Sequence, residues 1–149
     1  MGAEPYYYFV PYQPDVAAAL QALRQREFEA GRYNPVMPFL ADLLPLGPDS
    51  PAPGRQHASI AEALEAADAD GTRSILDIEG LSDTPGLGVA VKLPDQTLSS
   101  LYGTTQPSRA QVEAAMDFLD DIERGCAVYL VLYEGDAPSE ILFAGYSCD

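Results

Sequence analysis

The feature that most constrains this chain is the alternation in residues 126–133, where Val128, Leu130 and Leu132 interleave with Tyr129, Val131 and Tyr133. Successive side chains of a strand point to opposite faces, so both faces of this strand are apolar. Such a strand has to be covered on both sides, which places it inside a sheet rather than at its edge. Residues 135–139 read as a turn and residues 139–148 as a second strand, giving a C-terminal hairpin. Just before it, Val112, Ala115, Met116, Leu119 and Ile122 make an apolar stripe at helical spacing. Ser108 and Gln111 have capping-box spacing at its start, and Gly125 stands at its end. The pattern predicts one amphipathic helix leading into a central hairpin.

Upstream, Tyr6 to Tyr12 is rich in β-formers and bracketed by Pro5 and Pro11, which suits a strand whose end lacks a ladder donor. Pro14 fits the first position of a helix with Asp15 beside it, and the helix runs to about Ala30 with Gly31 as its C′ residue. Val16, Leu20 and Leu23 mark its buried side. Residues 34–57 hold six of the thirteen prolines. Within them, the apolar piece 36–46 is expected to pack irregularly on the core and 48–56 to form an exposed loop. Ser59 and Glu62 form a second capping box, opening a helix that ends near Gly71. Residues 72–79 suit a short strand, with a helical continuation as the alternative, 87–93 is a second strand candidate, and 95–102 a short helix stopped by Gly103. The expected fold class is α+β: one domain over residues 1–149, with a mostly antiparallel sheet of four or five strands and three main helices packed on it.

Charge narrows the function. The 149 residues include 23 acidic and 8 basic ones, for a net charge of −15. Neutralising phosphates requires a basic footprint, so nucleic acid is excluded as a partner, and anionic membranes are excluded on the same ground. No apolar run reaches the length of a membrane span. The N-terminus has no basic signal-type region, so a cytoplasmic location is expected. Arg outnumbers Lys seven to one and Ala, Gly and Pro are abundant, a bias typical of GC-rich bacterial genomes.

The chemistry-bearing residues form no strong catalytic set. Cys126 and Cys148 lie in no metal-type spacing, and a reducing cytosol keeps such thiols free. His57 is the sole histidine, next to the proline-rich loop. Gly86-Leu87-Gly88 is too short for a dinucleotide fingerprint and there is no phosphate loop, so no cofactor is expected. Asp77 and Glu79, if on a strand, would share a face, with Lys92 following in the next strand. Magnesium-dependent hydrolases arrange carboxylates in this way. The loop before His57 could serve as a lid over a ligand.

Two acidic helical stripes are the strongest functional pattern. Glu62, Glu65 and Asp68 recur on one predicted helix, and Glu113, Asp117, Asp120 and Asp121 on the last. Like charges at these spacings cost a helix roughly 0.2–0.5 kcal/mol per pair, so the stripes oppose helix stability and fit a surface that attracts a basic partner. The sequence reads best as a small acidic, non-enzymatic binding protein that inhibits or regulates a basic protein, as an immunity protein does a toxin. A metal-dependent hydrolase using Asp77 and Glu79 is the alternative.

Overall fold

The structure, a computed structural model, describes residues 5–33, 47, 49–70 and 74–147, with the backbone alone for 67–70. It is an α+β fold on one five-stranded sheet. The strands are β1 (Pro5–Pro11), β2 (Gly80–Leu81), β3 (Val89–Lys92), β4 (Ala127–Glu134) and β5 (Ala137–Tyr146). The helices are α1 (Val16–Ala30), α2 (Ile60–Asp70), α3 (Asp95–Tyr102) and α4 (Arg109–Ala114). Across the sheet the order is β1-β5-β4-β3-β2, so the C-terminal hairpin is central as its two-faced pattern requires. The long pairings, β1 with β5 and β4 with β5, are antiparallel. The short ones, β3 with β4 and β2 with β3, are parallel. The hairpin turn is tighter than expected, since Glu134 already pairs with Ala137. Gly135, at φ 66°, takes the first turn position, where only glycine enters without strain.

Side-chain parity sorts the core into two layers. Tyr6, Tyr8, Val10, Ile141, Phe143 and Ala127 point to one face, where Ala19, Leu20 and Leu23 of α1 cover them. Phe9, Leu142, Ala144, Val128, Leu130 and Leu132 point to the other, beneath Leu98 of α3, Val112 of α4 and Phe118. A smaller cluster joins Phe28 of α1, Tyr33 and Leu76 to Ala63 of α2. No helix among the described residues is long and apolar enough to cross a membrane.

Local chemistry explains most element ends. Asp15 is the N-cap of α1 rather than a first-turn residue, its side chain accepting from Ala18 N at 3.0 Å. Gly31, at φ 76°, closes the helix by donating to the Glu27 and Phe28 carbonyls. The Ser108–Gln111 capping box is present in full.

Two expectations fail here. Residues 75–77 form a 3₁₀ turn, the helical alternative rather than the strand. Residues three apart eclipse in such a turn, which sends Ile75 and Ile78 together into the α1-side core while Leu76 joins the α2 cluster. The last helix also breaks: α4 ends at Ala114, Ala115 is extended, and Asp117–Asp121 continue as a 3₁₀ turn. An unbroken α-helix advances about 100° per residue and would carry Phe118 well away from the side of Val112. The break lets both bury in the same core. The Tyr102 hydroxyl donates to the freed Ala115 carbonyl at 2.5 Å. The expected packing of 36–46 falls outside the described residues.

Candidate binding surface

The 3₁₀ turn changes the geometry of the second acidic stripe. Asp117 and Asp120 are three residues apart and therefore nearly eclipsed, with Asp121 next to them, and all three are exposed. None of the three makes an ion pair with a described residue. Glu113 differs. Arg109 holds it at 2.5 Å and Glu140 at 2.9 Å, while the Arg109 guanidinium lies 4.0 Å from the centre of the Phe9 ring. Its charge is thus largely answered inside the chain. Tyr102 is half-buried close to Asp117; burial first, and then the Asp117 charge, push its hydroxyl up to about 12.

Two hollows flank this turn, and Asp121 lines both. A shallow one of about 260 Å³ is bordered by Gln96, Ser100 and Leu101 of α3 with Asp117 and Phe118. The other, a cleft of about 440 Å³, lies at the N-terminal ends of β3 and β4. Pro85, Leu87, Val91, Ile122 and Val128 give it apolar walls, and Asp121 and Glu123 contribute its carboxylates. Leu87 is 75% exposed, the one large hydrophobic side chain among the described residues left so open. Its loop is pinned on both sides of the backbone: Glu79 N donates to Gly88 O at 2.8 Å and Gly88 N to Gly125 O at 2.9 Å. Leu87 precedes the strand expected to contain it, because β3 begins only at Val89. Cys126 also lines the cleft; burial, and then Glu123, push its thiol up, away from the reactive thiolate.

The first stripe lies elsewhere. Glu62 and Glu65 are exposed on α2, which packs through Ala63 against Phe28 and Leu76 on the α1 side of the fold. The helices that carry Glu113 and Asp117 cover the opposite face of the sheet. The structure therefore does not merge the two stripes into one patch. The side chain of Asp68 falls outside the described residues.

The remaining candidates resolve into structural contacts. Asp77 and Glu79 do not share a strand face: Asp77 closes the 3₁₀ turn and Glu79 follows it, exposed. Their charges act on Arg24, whose guanidinium is buried and donates to Leu76 O at 3.0 Å. Burial lowers the Arg24 pKa, and Glu79 and then Asp77 oppose that shift. Lys92 pairs with Asp95 at 3.9 Å. Among the described residues no group of three or more His, Cys, Asp or Glu side chains is placed to hold a metal. His57 Nδ1 is 2.8 Å from the Tyr33 hydroxyl, which also accepts from Gln56 N, and Tyr33 stacks on Phe28. The described part of the proline-rich loop is tied to the end of α1 rather than poised as a lid. Gly54 N donates to Ala30 O at 2.8 Å and Arg32 Nη1 to Ser50 O at 3.1 Å. Cys148 lies outside the described residues, so its expected free thiol has no structural description.

A further ion pair sits at the end of α1, where Arg32, just past the helix, meets Glu27. Glu27 is wholly buried and accepts from Arg32 Nε at 2.8 Å, Arg32 Nη2 at 2.6 Å and Arg26 Nε at 3.0 Å. These bonds raise the Arg32 pKa, with burial acting against them. Arg26 and Arg32 thus serve the protein's own carboxylate. Compared with known proteins, the chain matches no family model, no curated protein and no solved structure.

Proposed function

We propose that this chain is a small acidic binding protein of the bacterial cytoplasm that inhibits or regulates a basic protein partner without catalysis, as an immunity protein does. The observation that carries this reading is the exposed set of the eclipsed Asp117 and Asp120 with Asp121 beside them, none of which forms an ion pair with a described residue. Holding like charges this close opposes folding, so a surface selected only for stability would place a lysine or arginine among them. A basic partner would supply that charge. The net charge of −15 extends the attraction beyond contact and speeds encounter at low salt. Glu62 and Glu65 on α2 form a second, separate acidic area, and Glu113 contributes least because Arg109 already holds it.

The test is a pull-down from the native host at low and high salt, repeated with Asp117, Asp120 and Asp121 each changed to Lys. A basic partner recovered at low salt, released at high salt and lost with the triple variant is expected. An unchanged complex with the variant would remove these residues from the interface. The alternative hydrolase would have to use Asp77 and Glu79, whose charges already act on Arg24. It calls for a melting temperature that rises with Mg²⁺, Mn²⁺ or Ca²⁺, and a flat titration discards it.

A further inference from the structure

We infer that the cleft between the Pro85–Gly88 loop and the segment leading into β4 is an anchor pocket for an apolar side chain of that basic partner, flanked by the partner's lysines or arginines. The inference rests on the function proposed above and adds the chemistry of the contact. Three observations meet at this place. The cleft, about 440 Å³, falls within the range of about 300–1,000 Å³ of pockets that hold small groups. Its walls are Pro85, Leu87, Val91, Ile122 and Val128, and Leu87 stays open to solvent on a loop fixed by two backbone hydrogen bonds. Asp121 and Glu123 border it, and Asp121 belongs to the same turn as Asp117 and Asp120.

A rigid, exposed leucine over an apolar cleft gains little in the isolated protein and is the kind of feature that marks a contact site. Binding energy concentrates where an apolar anchor fills a pocket that charged groups surround and shield from water. Charge decides the occupant. A second copy of this chain at −15 would bring Asp121 and Glu123 against like charge across a symmetric interface, and no lysine or arginine lines the cleft to relieve it. A neutral apolar ligand would fill the cleft but leave the carboxylates unanswered. A basic segment with one apolar residue satisfies both.

The experiment uses the full chain, isotope-labelled, titrated at low salt with three capped pentapeptides: Lys-Lys-Leu-Lys-Lys, Lys-Lys-Ser-Lys-Lys and Glu-Glu-Leu-Glu-Glu. Amide shifts report both affinity and site. Burying one leucine side chain gives the first peptide an advantage of about tenfold over the second. Its shifts centre on Leu87, Val91, Ile122 and Val128, and the acidic peptide does not bind. Leu87→Ser, at a position too exposed to threaten folding, removes most of the tenfold difference while leaving the weaker lysine–serine binding in place. Equal binding of the two lysine peptides, with shifts confined to residues 117–121, overturns the anchor pocket and leaves the acidic-surface reading standing. No binding by either lysine peptide overturns both. Binding of the acidic leucine peptide as strong as the basic one shows a site for neutral apolar ligands and overturns the basic partner as occupant.

Discussion

Replacing Glu27 by Gln tests the energetics of the α1 ion pair directly. Glu27 is 0% and Arg32 2% exposed, and three arginine N–H groups converge on the one carboxylate. The glutamine keeps the shape but removes the charge, leaving the Arg32 guanidinium buried without its counter-ion. Breaking a buried pair from one side costs about 3–5 kcal/mol. For 149 residues at about 2.1 cal/mol/K per residue, the unfolding entropy is roughly 0.3 kcal/mol/K, so the melting temperature should fall by about 10–15 °C. Urea unfolding of the wild type and Glu27→Gln gives the free energy, and thermal unfolding the shift. The double variant Glu27→Leu with Arg32→Met removes both charges while keeping apolar volume, and such exchanges are often neutral or better. It should therefore be more stable than Glu27→Gln alone. A single variant within about 1 kcal/mol of wild type, or a double variant less stable than the single, would refute the claim that the burden is an uncompensated buried charge.

Tyr102 makes stability depend on alkaline pH. Its hydroxyl is raised from 10.0 to about 12, so the folded state holds the proton more tightly than the unfolded one; stability is intact below pH 10 and falls as the unfolded chain ionises between about 10 and 12. Tyr102→Phe should flatten part of that decline in urea midpoints, and an identical slope in the variant would contradict the assignment. Neutralising the eclipsed pair as Asp117→Asn with Asp120→Asn should stabilise the free protein by about 0.2–0.5 kcal/mol while weakening its partner complex. Added salt should narrow that stability gain by screening the wild-type repulsion, and a destabilised double variant in urea would show that these carboxylates support the fold.

The central hairpin and the helix caps were legible in the sequence because each depends on neighbours along the chain. Val128 to Tyr133 alternates over enough residues to declare both faces apolar, and no packing partner is needed to read it. Gly31, Gly103 and the Ser108–Gln111 box act within one turn of helix, so their spacing suffices. Strands of two and four residues carry too little periodicity for their ends to be placed: β3 lies inside the candidate 87–93, whereas β2 falls just past the candidate 72–79.

Packing decided the rest. The stripe from Val112 to Ile122 fits a continuous helix equally well, but Phe118 lies off that stripe and reaches the core only because the chain breaks at Ala115. That break turns an ordinary acidic helix face into an eclipsed pair of carboxylates beside a cleft. The cleft itself joins residues 85–91 to 121–128, segments that meet because β3 pairs in parallel with β4 across a crossover that no local pattern specifies. The sequence places Glu27 and Arg32 near the end of α1 without showing them buried, and tertiary packing made them a buried pair. The sequence by itself determined the elements, their caps, the central strand and the overall acidity. The tertiary structure alone decided which charges are answered internally and which face outward, because pairing and burial are set by residues distant along the chain.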